Sequence, residues 1–401
     1  MMKFKFNIIY CTCLILTIVF GNINIGGPIA VNYLVTVFMF ILCYAEGVKY
    51  PKEFYLRYYV FFISLFGFTS LIHSVLPDFM KAFVSYYLSC FAWIWATYIL
   101  ITKYNGIKWL IWTFCGMCFI NTIVTIGQHY LEPVSFAIAQ SLHLLDDTIT
   151  NSIVEKSDET VTTFCLYGIF GAVPNGYYSA VASVMSLYFF KRYKRHLFLS
   201  FWLITIFGLY CVQERAALVA GLVFSFLFLL KIIADTSSSG KKVMISAGFL
   251  IIIFYMYDHI DINSMVEGSR FESFEIGSRS KIFELSADYC IDHLFDANLF
   301  DFYYKTNLYP HNLFYNSIMY GTIIGAIIIF VLMLKILLVA IKISRKKMTN
   351  SNSDYVMFAF ALFAYTINTL THNASIITGD ILYWILAVPL ILHYRSSLVK
   401  S

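Results

Sequence analysis

Apolar runs of roughly 17–25 residues recur from one end of this chain to the other. Each is long enough to cross a ~30 Å hydrocarbon layer as a helix. No water reaches that layer to satisfy a backbone N–H or C=O, so a spanning segment must close its hydrogen bonds within itself. Composition points the same way: 60% of the 401 residues are hydrophobic and 13% charged, against about a quarter charged in a soluble domain. The chain therefore reads as an all-α polytopic membrane protein, a single integral membrane domain over 1–401. About twelve transmembrane helices are expected, near 5–22, 28–46, 58–76, 82–102, 107–129, 172–190, 197–213, 215–234, 243–257, 311–341, 355–372 and 376–394. The first run follows Lys3 and Lys5 without a clear small-x-small cleavage site. A second run comes directly after it, so the first is read as a retained signal-anchor helix.

Charge orients these spans. With the N-terminus inside, 21 of the 28 Lys and Arg fall on inner segments such as KRYKRH and KISRKK. Only Lys81, Lys156, Arg215, Arg270, Arg279, Lys281 and Lys305 fall outside, while 19 of the 23 acids do. The positive-inside rule then puts both termini in the cytoplasm. The net charge of +5 reflects this asymmetry, and no nucleic-acid partner is expected.

Two outer loops exceed the usual length, 130–171 and 258–310, and long loops in compact proteins generally carry function. In the second, Ile282, Leu285 and Tyr289 recur at helical spacing behind Ser278 and Ser280, two N-cap candidates, so an amphipathic helix is expected there. No internal repeat is visible, which counts against the commonest transporter plans. Cys115-Gly-Met-Cys118 matches a CxxC pattern but lies mid-span, where Cys acts as a small apolar residue. Cys165 and Cys290 are the two placed to face an oxidising compartment, with pairing left open.

Three residues gather the chemistry on the outer side. Arg215 opens an apolar run in QERAALVAGLVF, Arg279 lies in IGSRSKIFE, and His311 closes the second loop in PHNLFYNSIMYGTIIG. Two fixed cations suit an anionic, lipid-borne substrate, because guanidinium stays charged and binds phosphate oxygens in pairs. A histidine with an unperturbed pKa near ~6.5 suits proton transfer at neutral pH. Each also has a structural reading: interfacial anchor for Arg215, loop cation for Arg279, helix cap for His311. Asn312, Arg270, Lys305 and Asn175 are secondary candidates for substrate contact.

These segments, together with VPNGYYSAVASVMS, resemble the O-antigen polymerase and O-antigen ligase superfamily of membrane proteins. The resemblance covers about 172–335. Members more often have a small residue where Glu214 precedes Arg215. It implies a GT-C-like fold with a large periplasmic loop and a glycosyltransferase using an undecaprenyl-diphosphate-linked oligosaccharide in the bacterial inner membrane. His311 would be the general base, and Arg215 and Arg279 would stabilise the leaving diphosphate. No acidic pair stands near the three, so no metal and no cofactor are expected for the transfer. A chain-length regulator and a flippase of the same pathway are the protein partners implied. The favoured activity is polymerase, joining repeat units. The alternatives are a ligase transferring the finished chain to lipid A-core, and a lipid-linked oligosaccharide flippase or other transporter.

Overall fold

The computed structural model describes residues 2–21, 24–26, 29–52, 56–130, 168, 172–193, 197–212, 214–236, 239–240, 243, 278–310, 312–370 and 375–399. The described residues are overwhelmingly helical. The helices are α1 (Met2–Phe20), α2 (Val31–Ala45), α3 (Leu56–Ile72), α4 (Leu76–Ala82), α5 (Leu88–Thr102), α6 (Ile107–Tyr130), α7 (Ala172–Tyr193) and α8 (Leu197–Val212). They continue with α9 (Arg215–Asp235), α10 (Ser278–Asp292), α11 (Leu299–Thr306), α12 (Leu313–Ser344), α13 (Ser353–Thr369) and α14 (Ile381–Val399). A short antiparallel pair, β1 (Asn24–Gly26) and β2 (Ile29–Ala30), joins α1 to α2. A π-helical turn at Phe83–Tyr87 joins α4 to α5 without a break.

Five of these stretches are long and apolar enough to cross a membrane: Leu76–Thr102, Ile107–Tyr130, Arg215–Asp235, Leu313–Ser344 and Ile381–Leu398. Lys5–Phe20, Val31–Ala45, Leu56–Ile72 and Leu197–Val212 are apolar but shorter. The molecule is thus a helical protein with membrane-embedded character. The expected span at 243–257, apart from Val243, and most of the loop at 130–171 lie outside the described residues.

The chain divides into two compact units, one of Met1–Thr113, Ile276–Ser344 and Tyr365–Ser401, the other of Phe114–Glu275 and Arg345–Ala364. In the first, α3 packs along α12, and α5 packs against α2 and α14. Gly321 and Gly325, one turn apart on α12, face Phe62 of α3; a Cβ on Gly321 would fall 2.6 Å from that ring. Small residues at this spacing let apolar helices approach where lipid offers no hydrophobic drive. The turn before α14 exposes carbonyls that must be satisfied in an apolar setting. Tyr59 and Tyr87 donate to the carbonyls of Ile376 and Ile377 at 3.1 and 2.6 Å, and Cys90 donates to that of Gly379.

α12 is interrupted. Thr322 has φ 60° and ψ −179°, a region that costs a non-glycine residue about 1–3 kcal/mol. The break frees the amide of Ile323, which donates to the carbonyl of Leu294 at 2.9 Å. The turn between α10 and α11 is thereby seated on α12.

In the second unit, α7 packs against α8 and α9 around a core of Ala180, Leu209 and Ala217. From Asn175 to Phe189 every residue of α7 is buried. This explains why α7 tolerates Ser179, Ser183 and Ser186: small residues allow close neighbours, and the hydroxyls find local carbonyls or polar partners.

Candidate functional site

Two of the segments singled out in the sequence meet in the second unit. Arg215 is the first residue of α9 and is half-buried. Glu214 precedes it in extended conformation (φ −102°, ψ 105°) and is buried, at 4% exposure. Its carboxylate lies against Gly176 of the Pro-Asn-Gly segment on α7. A Cβ there would come within 1.5 Å of Glu214 Oε2, so only glycine leaves room for the acid. Glu214 is therefore accommodated by a glycine 38 positions earlier in the chain.

Asn175, beside that glycine, is fully buried. It accepts from Asn121 Nδ2 at 2.6 Å and donates to Thr125 Oγ1 at 3.1 Å, and Ser179 Oγ lies 3.4 Å from its oxygen. Gln128 exchanges two hydrogen bonds with Gly168, at 2.8 and 3.2 Å. Buried polar groups of this kind must be satisfied internally, and they hold α6 and α7 of this unit in register. The role the structure gives Asn175 is to anchor the turn that carries Gly176.

The other candidates belong to the first unit. Arg279 is the second residue of α10; its side chain lies outside the described residues, as do Arg270 and His311. Asn312 caps α12, its Oδ1 accepting from Phe314 N at 2.7 Å and Tyr315 N at 3.4 Å. Asn316 Nδ2 donates to the carbonyl of Pro310 at 3.0 Å, so the chain is hydrogen-bonded on both sides of His311. Lys305 is exposed and pairs with Asp301 at 2.8 Å. The helix expected in the second loop forms as α10, and Tyr289 and Cys290 lie on its buried side. Cys290 is a free, buried thiol, while Cys165 lies outside the described residues.

A polar cluster that the sequence reading did not single out sits where α3 ends against the α10–α11 turn. His73 Nε2 lies 2.7 Å from the carbonyl oxygen of Asp296 and 3.7 Å from its Oδ2. His73 Nδ1 faces Asp301 Oδ2 at 3.6 Å. His293 Nδ1 lies 3.2 and 3.4 Å from the two Asp296 carboxylate oxygens. Asp301 also accepts from the Tyr289 hydroxyl at 2.7 Å. Burial raises the Asp301 pKa, but hydrogen bonds from Lys305 and Tyr289 and the nearby charges outweigh it and hold the carboxyl below its usual range. Burial first, then Asp301, push the Tyr289 phenol far above its usual value. The His-x-x-Asp spacing at 293–296 was the available signal, but a partner 220 positions earlier has no local signature.

Compared with known proteins, the chain matches no family model, no curated protein and no solved structure.

Proposed function

We propose that this protein is a surface-polysaccharide polymerase of the O-antigen type, joining undecaprenyl-diphosphate-linked repeat units at the periplasmic face of a bacterial inner membrane. The observation that carries the reading is the meeting of the Pro-Asn-Gly segment with Glu214 and Arg215 at the start of α9. Two of the segments that bear the family resemblance thereby form one local structure. Supporting it, Arg215 and Arg279 each stand in the first turn of a helix, where the helix dipole adds to a cation's attraction for an anion. In the proposed topology about twelve helices span the membrane in a GT-C-like arrangement, with both termini cytoplasmic.

The chemistry follows from the donor, since the periplasm supplies no nucleotide energy. The acceptor sugar hydroxyl attacks the anomeric carbon, the bond from that carbon to the diphosphate oxygen breaks, and the hydroxyl proton passes to His311. Negative charge grows on the leaving lipid diphosphate, and Arg215 and Arg279 offset it without a metal. Asn312, Arg270, Lys305 and Asn175 are the secondary residues of this reading; Asn175 acts through the Gly176 turn. A chain-length regulator and a flippase would work on the same lipid carrier.

Deleting the gene and running the extracted lipopolysaccharide on a gel tests the reading. A polymerase leaves core bearing a single repeat. A ligase leaves core bare while long carrier-linked polymer accumulates, and an unchanged ladder overturns both. Complementation with Arg215→Ala, Arg279→Ala and His311→Ala separately should fail to restore the ladder at normal protein levels. Full restoration by all three removes the site assignment.

A further inference from the structure

We propose that His73, His293 and Asp296 form a binding site for one divalent transition metal, zinc foremost, which ties the end of α3 to the turn between α10 and α11. The ligand set comes from two distant segments that fold onto one point. One ligand atom from each residue lies within 4.8 Å of the other two. Zinc–nitrogen and zinc–oxygen bonds of about 2.0–2.1 Å place neighbouring ligand atoms of a tetrahedron about 3.3 Å apart. The imidazole-to-carboxylate distances here are 3.2 and 3.4 Å from His293 Nδ1 and 3.7 Å from His73 Nε2. The Asp296 carboxylate thus stands close to two imidazole nitrogens, near that spacing; His73 Nε2, which donates its proton to the Asp296 carbonyl oxygen at 2.7 Å in the metal-free chain, exchanges that proton for the metal on binding.

The surroundings follow the same pattern. A metal-bound histidine is commonly oriented by a carboxylate at its other ring nitrogen. With His73 Nε2 toward the metal, Nδ1 faces Asp301 Oδ2 at 3.6 Å, an oxygen that also takes Lys305 Nζ at 2.8 Å and the Tyr289 hydroxyl at 2.7 Å. Two nitrogen donors and one oxygen donor select zinc, copper or nickel over magnesium and calcium, which take all-oxygen shells. Asp296 is 44% exposed and His73 only 13%, so the open fourth position is reached from the solvent side of Asp296.

What the metal would hold is visible. The turn that supplies His293 and Asp296 also supplies the Leu294 carbonyl that accepts from Ile323 at the break in α12. A metal at this point fastens α3, the α10–α11 turn and the interrupted α12 together. This inference does not depend on the glycosyl-transfer reading, because neither its ligands nor its test involves Arg215, Arg279 or His311.

The test uses the full chain in detergent, carried on a histidine-free affinity tag and stripped with a chelator. Zinc is titrated calorimetrically, and cobalt(II) is added as a spectroscopic probe. One zinc per chain is expected, with visible d–d absorption of tetrahedral intensity from cobalt. His293→Ala and Asp296→Asn, both on partly exposed side chains, should weaken zinc binding at least tenfold and abolish the cobalt bands. Asp301→Asn should weaken binding about 10–100-fold, as loss of an orienting partner does elsewhere. Zinc should raise the unfolding temperature of the wild-type chain and leave that of His293→Ala unmoved. Equal zinc affinity in wild type and His293→Ala, or cobalt spectra of octahedral intensity, overturns the site and leaves a hydrogen-bonded imidazole–carboxylate cluster.

Discussion

Replacing Asn298 with Ala should cost about 3 kcal/mol of stability, and the geometry says where each part arises. Asn298 is fully buried at the start of α11. Its Oδ1 accepts from Phe300 N at 2.9 Å and Asp301 N at 3.4 Å, an N-cap whose loss costs about 1 kcal/mol. Its Nδ2 donates to Thr69 Oγ1 at 3.0 Å and Ser70 Oγ at 2.9 Å on α3. Each such buried bond contributes about 1 kcal/mol net, so the pair adds about 2 kcal/mol. Asn298→Ser separates the two parts, since serine retains a cap acceptor but does not reach α3; it should cost about 2 kcal/mol. Equilibrium unfolding of the purified protein in mixed detergent micelles with increasing dodecyl sulfate measures both. A total of about 3 kcal/mol changes the unfolding constant about 150-fold. If Asn298→Ala costs no more than a solvent-exposed cap, or Asn298→Ser matches wild type, the α3 anchor carries no stability and the reasoning fails.

Gly176→Ala places a methyl on the Glu214 carboxylate and should destabilise the protein by about 1–3 kcal/mol, as overpacking does; an unchanged unfolding temperature contradicts the close approach. Burial pushes the Cys290 thiol up to about 12, so a variant retaining Cys290 as its single cysteine should react with a maleimide at pH 8 about a thousand times more slowly than an ordinary thiol of pKa near ~8.5. Because only the thiolate reacts and pH 8 lies below this raised pKa, the rate should climb about tenfold per pH unit. Fast labelling at neutral pH would show Cys290 exposed.

Helix positions were largely readable in advance, and the reason is local. Runs such as GLVFSFLFLL in α9 or IGAIIIFVLMLKILL in α12 have no way to satisfy their backbone in lipid except as helices. The helix at Ser278–Asp292 was likewise visible in the spacing of Ile282, Leu285 and Tyr289. The interruption at Thr322 was not, because the chain carries no proline there and the break is paid for by a bond to Leu294, a residue of another element. The candidate site divides the same way. Arg215 opens an apolar run and stands at a helix start, whereas the cap of α12 is Asn312, a residue read from sequence only as a substrate contact. That Glu214 rests on Gly176, and that Asn175 is sealed inside a hydrogen-bonded cluster, required knowing which helix faces touch.

The sequence by itself determined the class of molecule: backbone hydrogen bonding and hydrocarbon thickness act on each apolar run separately, so they can be read one segment at a time. Tertiary structure alone decided which polar groups share a neighbourhood. His73 reaches Asp296 and Asp301 across more than 220 positions, and Asn298 reaches Thr69 and Ser70 across a similar span. No local pattern encodes such meetings, because they follow from how whole helices pack, and a buried polar side chain finds its partner only once that packing is complete.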